Sequence, residues 1–180
     1  MMEHKVMISM FRQWFANDRA SIAVEGALLL PLLLTFFLGI MDVGQGVLVS
    51  QKVITATHMV GDLIGREDSL SSDEANDMIE AGKAAMMPYS AETVGFDIVG
   101  IKFNGGSNHP EEAWRTTVNM EPNLNVVSQA SGLGNDQEGA VAVTVEYIYY
   151  PYFAYVLTGY YTISETTYTR GRSGAFIPRE

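Results

Sequence analysis

The sequence predicts an α+β protein: a long N-terminal transmembrane helix that extends into an outer domain, followed there by a second helix and a small antiparallel sheet. Three observations predict it. Ile22 to Met41 is a run of 20 residues with one charge, Glu25, and 15 of the 20 are Ala, Val, Ile, Leu, Met or Phe. Apolar residues then recur at steps of three or four as far as Ile64. Beyond them, stretches rich in valine, threonine and tyrosine alternate with Gly and Pro turn signals.

A 20-residue helix is about 30 Å long, the thickness of a bilayer's hydrocarbon core. Lys5, Arg12 and Arg19 precede the run, and no base follows it until Lys52. The positive side is therefore the N-terminus, which stays in the cytoplasm while the remainder crosses. Residues 42–180 carry 18 acidic and 8 basic side chains, so the net charge of −10 sits in the outer domain. A nucleic-acid partner is disfavoured, because phosphate contacts need a basic face. With no cysteine, thiol catalysis, disulfides and thiolate metal sites are excluded. A cleaved secretory signal is the competing explanation of the run. Such a signal has an apolar core of about 7–15 residues and a small-x-small site, whereas here the run is longer and Gly39-Ile40-Met41-Asp42 is a poor site.

The stretch Ala20-Ser21-Ile22-Ala23-Val24-Glu25-Gly26-Ala27-Leu28-Leu29-Leu30-Pro31-Leu32-Leu33-Leu34, followed by Gly39-Ile40-Met41-Asp42, places a charged leader and a small residue before an apolar helix that bears an early carboxylate. It resembles the TadE-like minor pseudopilins of tight-adherence (Flp, type IV) pilus systems. The resemblance implies a pilin-like fold and cleavage by a prepilin peptidase between Ala20 and Ser21, leaving Glu25 at the fifth position. It also implies three segments: 1–20 a cytoplasmic leader peptide, 21–41 the transmembrane part of the helix, and 42–180 a periplasmic α+β domain. Two positions depart from the family pattern: Ala20 stands where glycine is usual, and Gly26 where an aromatic is usual.

Glu25 has two readings. A carboxylate near the middle of a span costs about 2.5–3.5 kcal/mol, and less near an interface, so a residue one turn inside the cytoplasmic end can snorkel to water. Alternatively, it is kept for assembly. The resemblance implies pairing with an α-amine, from the Ser21 end or a neighbouring subunit, and two unit charges at about 4 Å gain about 4 kcal/mol at an effective dielectric of 20. Pro31 is either a tolerated membrane proline or a helix hinge.

The outer part reads as follows. Val43, Val47, Val49, Val53, Ala56, Val60, Leu63 and Ile64 continue the first helix. Gly61 and Gly65 form a G-x-x-x-G, read as a loose helix end. Ser71 and Glu74 fit a capping box for a second helix with Ala75, Met78, Ile79 and Ala85 inward and Pro88 as its stop. The acids at 73, 74, 77 and 80 read as a solvated face. Strands are expected over Thr93–Phe103, Ala113–Val118, the alternating Val141, Val143, Val145, Tyr147 stretch, and Tyr160–Thr169. Asn123–Gly139 is expected to be a polar loop, and the oxygen-bearing side chains of Gly132–Glu138 read as surface rather than calcium ligands. Tyr147 to Ser164 is 18 residues without a charge. A second span there is disfavoured by Pro151 and seven tyrosines; a core-facing or subunit-facing sheet fits better.

His4, His58 and His109 form no metal pair, and neither a nucleophile elbow nor a phosphate loop is present. The expectation is a non-enzyme without cofactors or metal. Its partners, on the resemblance, are the major Flp-type pilin, other minor pseudopilins, the prepilin peptidase, the inner-membrane pilus platform and the lipid bilayer. The resemblance places the chain in the inner membrane, with the pilus itself as a further location. The alternative is an uncleaved single-pass scaffold or binding protein of the same machinery, TadG-like.

Overall fold

The computed structural model describes residues 18–105, 109–154, 157–172 and 174–180, with side chains of the first helix described from Ile22. The elements run α1 (Asp18–Ile64), α2 (Ser72–Ala85), β1 (Val94–Phe103), β2 (Pro110–Val118), α3 (Val126–Gln129), β3 (Gly139–Tyr149) and β4 (Tyr161–Thr169). The residues through Gly44 form one compact unit with the 151–158 segment, and residues 45–150 with 159–180 form the other. The α+β class is as expected, as is the end of α1 at Ile64.

The larger unit is built on a four-stranded antiparallel sheet in the order β2-β1-β3-β4. One sheet face is covered by apolar helix residues. Val49, Val53, Ala56, Val60 and Ile64 recur at steps of three or four along α1, so they share a face. They pack with Ala75, Met78 and Ile79 of α2 against Val94, Phe96 and Ile98 of β1 and Val141, Val143, Val145 and Tyr147 of β3. Alternate positions of a strand point to one face, which is why the β3 pattern was readable in the sequence. Each fully buried Val, Ile or Phe contributes about 1.5–3 kcal/mol before conformational entropy is charged against it. Val43 and Val47 remain exposed although they continue the apolar pattern.

The opposite face carries a second cluster, with Val99, Ile101 and Phe103 of β1, Ala140 and Ala142 of β3, and Val126 and Ala130. The polar segment expected to be pure loop thus contains the short helix α3, which supplies this cover. Tyr168 of β4 donates its hydroxyl to the Val126 carbonyl at 3.0 Å, and burial raises its phenol above the usual value. Strand β2 begins at Pro110, three residues earlier than the sequence indicated. Its extra length is accommodated by a register shift between Gly100 and Ile101 of β1, where Gly100 faces Trp114 and Ile101 faces Glu112.

The G-x-x-x-G falls at the end of α1, as expected, and there it also meets β4. A Cβ on Gly61 would lie 3.0 Å from the Thr167 methyl, and one on Gly65 would lie 3.2 Å from the Thr169 methyl. The two glycines therefore let the end of α1 approach β4 closely, a helix-on-strand use of a pattern known from helix pairs.

Helix α2 opens with the expected capping box. The Glu74 N–H donates to the Ser71 hydroxyl oxygen at 3.2 Å, and the Ser71 N–H and hydroxyl both donate to the Glu74 carboxylate at 2.8 Å. These bonds, the backbone one first, hold the Glu74 carboxyl below its ordinary value. A group lowered in this way stabilises the fold above its unfolded pKa and loses that contribution as the pH falls through the folded one. The melting difference between wild type and Glu74→Gln is expected to be largest near neutrality and to close on acidification below the glutamate range. Thermal melts of both proteins across that window check it, and a gap unchanged at acid pH would contradict it. Ser71→Ala removes the cap itself and is expected to cost about 1 kcal/mol near neutrality.

Candidate functional site

The sequence points to the membrane-facing part of α1, and the structure assembles it as follows. Every described side chain from Ile22 through Phe37 is exposed, including Leu28, Leu29, Leu30, Leu32, Leu33 and Leu34 on successive sides of the helix. A helix that is apolar all round and uncovered by its own chain is suited to lipid. It is the one helix among the described residues long and apolar enough to cross a membrane.

Ala20 and Ser21 lie near the start of α1, within its helical backbone. The leader residues through Asn17 fall outside the described residues. Glu25 follows one turn further on and is exposed among apolar neighbours, and none of the ion pairs among the described residues involves it. The helix carries Pro31 inside it without interruption. Proline has no N–H to give to the carbonyl four residues back. One turn later the Thr35 hydroxyl donates to the Pro31 carbonyl at 2.9 Å, a side-chain bond of the kind that bends helices.

Asp42 ends the apolar run and is fully buried. The backbone N–H of Phe153 donates to one of its carboxylate oxygens at 3.0 Å, and that of Ala154 to the other at 3.1 Å. Ala154 is held at φ +50, a left-handed conformation that costs a residue with a Cβ about 1–2 kcal/mol and is sustained only by surrounding contacts. Sequence reasoning noted Asp42 as the acid closing the Gly39–Asp42 pattern but did not find its partners, which lie 111 and 112 positions away. The signal available was an acid immediately after an apolar run, where a carboxylate needs donors.

In the sheet unit a second buried carboxylate escaped notice. Asp97 of β1 is fully buried. It accepts from Arg115 Nη1 at 2.9 Å, from the Thr117 hydroxyl at 2.7 Å and from the Asn123 N–H at 2.9 Å. Arg115 also pairs with Glu112 at 2.8 Å, the bond that does most to raise its pKa. The Asn123 amide reaches the Thr144 hydroxyl, which meets that of Thr166, so the network crosses the sheet. Both carboxylate oxygens of Asp97 accept from structural donors, and the cluster serves the fold.

The loop oxygens considered for calcium have protein partners. Asp136 accepts from the Gly105 N–H at 2.8 Å. Glu138 accepts from the Asn135 N–H at 2.8 Å and lies 3.3 Å from Arg170, and these contacts, the Asn135 bond foremost, lower its pKa. Among the described residues no group of three His, Cys, Asp or Glu side chains is placed to hold a metal ion.

These features describe an α+β protein in which one long apolar helix, alone among the described helices, is suited to cross a membrane, and whose sheet carries an apolar cluster on each face. Residues 20–62 match the family model described as TadE-like protein, which covers Ala20, Glu25, Pro31 and Asp42 and ends just before the close of α1. The sheet lies outside the matched residues. No curated protein and no solved structure matches the chain.

Proposed function

We propose that this chain is a minor pseudopilin that takes part in assembling a tight-adherence (Flp) type IV pilus, without enzymatic activity of its own. The observation that supports it best is the family match over 20–62, centred on an exposed apolar helix that carries one early acid. In this reading the helix sits in the inner membrane, residues 1–20 face the cytoplasm and are removed by a prepilin peptidase between Ala20 and Ser21, and the sheet domain lies in the periplasm. Glu25 then pairs with an α-amine, its own chain's or a neighbour's. The Coulomb gain of about 4 kcal/mol at 4 Å is comparable with the cost of holding the acid in hydrocarbon, so the pairing decides whether the subunit joins. Pro31 gives the helix a point at which to bend as it leaves the bilayer. The partners are the major pilin, sibling minor pseudopilins and the inner-membrane platform.

Two measurements test this. The intact mass of the membrane-purified protein is expected to lack residues 1–20, and a full-length mass would favour a static TadG-like anchor. Glu25→Ala is expected to insert in the membrane at wild-type level but to be lost from complexes with pilus components, with piliation reduced at least tenfold. Normal piliation in that variant would reject the role of the acid.

A further inference from the structure

We propose that the 151–154 segment is a membrane-interface anchor, in which Tyr152 and Phe153 lodge in the lipid headgroup layer at a depth fixed by Asp42. The proposal rests on the reading of residues 22–41 as a membrane span. It concerns a single compact unit, the helix through Gly44 and the loop.

Within that unit the loop is tied to the helix by main-chain bonds. Phe153 and Ala154 donate their N–H groups to the two carboxylate oxygens of Asp42, at 3.0 and 3.1 Å. Asp42 is the first residue after the apolar run, and a helix rises only about 1.5 Å per residue. The tether therefore holds the loop at the level where α1 leaves the hydrocarbon. Because the bonds run from backbone donors, they hold Phe153 and Ala154 in place whatever their side chains are. The carboxylate in turn has two donors at a depth where water is scarce.

What the loop presents at that level is aromatic and uncharged. Tyr152 is 81% exposed and Phe153 45% exposed, and no charge occurs from Tyr147 to Ser164. Ile40 and Met41, on the helix beside the tether, are exposed as well, so the loop's apolar surface continues the lipid-facing surface of the span. That continuity identifies the occupant as lipid. A phenol or benzyl ring sits well where one end is apolar and the other wet, and aromatic side chains gather at membrane–water interfaces for that reason.

The chain has no cysteine, so a single introduced cysteine carries one nitroxide label. The full chain is reconstituted in vesicles of phosphatidylethanolamine and phosphatidylglycerol, and label depth is read from relative accessibility to oxygen and to a water-soluble nickel chelate. A label at Leu30→Cys is expected deep in the bilayer. One at Leu124→Cys, where the native side chain is 80% exposed in the other unit, is expected fully aqueous. The label at Tyr152→Cys is expected at headgroup depth. If it reads as aqueous as Leu124→Cys while Leu30→Cys stays deep, the anchor is wrong and the span stands. An aqueous reading at Leu30→Cys removes the span and the anchor with it. Adding Asp42→Ala to Tyr152→Cys is expected to shift the loop label to the aqueous value, with Leu30→Cys unmoved. Should that variant fail to fold, Asp42→Asn, which keeps one acceptor oxygen, is expected to give a partial shift. Unchanged depth in the folded variant overturns the role of Asp42.

Discussion

Asp97→Ala is expected to destabilise the sheet domain by about 3 kcal/mol, enough to unfold a large fraction of a marginal domain on mild heating. The carboxylate is fully buried and accepts from three donors, so its removal leaves the Thr117 hydroxyl and the Asn123 N–H without an acceptor. Arg115 is only 14% exposed and loses the charge that compensates its burial. The loss stays at the low end for a broken buried pair because Arg115 keeps Glu112 at 2.8 Å. Removing both partners, Asp97→Ala with Arg115→Met, is expected to cost less than the sum of the single changes, since no uncompensated charge then remains. Urea unfolding of the detergent-solubilised chain measures all three variants. Additive effects would show that the two side chains do not act as a unit.

The second large effect is expected at Gly100. A Cβ there would lie 2.2 Å from Trp114 Cε2 and 2.3 Å from its Nε1, overlapping the ring itself. Gly100→Ala must therefore displace Trp114. The indole N–H now donates to the Ile177 carbonyl at 2.8 Å, and the Arg179 guanidinium lies 5.9 Å from the ring centroid. Arg179 also donates to the Thr116 hydroxyl, and Leu70 and Arg179 form a bridge between the loop before α2 and the final residues. Overpacking of this kind costs about 1–3 kcal/mol, and losing the indole bond adds about 1 kcal/mol. The chain has two tryptophans, so in a Trp14→Phe background the emission comes from Trp114 alone. Its spectrum is expected to shift to the red in Gly100→Ala, together with a loss of about 3 kcal/mol. An unchanged spectrum with stability within about 0.5 kcal/mol of wild type would show that the ring yields freely.

The parts of the fold that were legible in the sequence are those written in local patterns. The apolar stripe of α1, the Ser71–Glu74 cap and the alternation of Val141, Val143 and Val145 each state their structure within one or two turns of chain. The early acid Glu25 was legible for the same reason, as a charge in an otherwise uncharged run. The features that sequence reasoning missed are products of tertiary placement. Asp97 gave no signal in the sequence because its donors come from β2, through the strand register, and from Asn123 in the segment beyond it. Asp42 shows locally as an acid closing an apolar run, but its partners, the Phe153 and Ala154 backbone, lie 111 and 112 positions away and have no local signature. Val126 and Ala130 were submerged in a polar segment, where a one-turn helix is too short to show periodicity. Gly61 and Gly65, read as a helix end, also lie against the Thr167 and Thr169 methyls of β4, a contact that only tertiary placement creates.

The strand order β2-β1-β3-β4 also governs how the domain is made. Neighbours β1 and β2 are joined by the short 104–109 connection, and β3 and β4 by the longer 150–160 one, so both pairs are closer in sequence than the central seam. The central seam is different: Val94 meets Tyr147 and Lys102 meets Gly139 across long separations. Chain entropy opposes that meeting, and pairings of this type are the slow events of folding. The pace at which the sheet forms thus turns on the meeting of β1 with β3, and until it occurs the edges of both stand open to any other extended chain nearby.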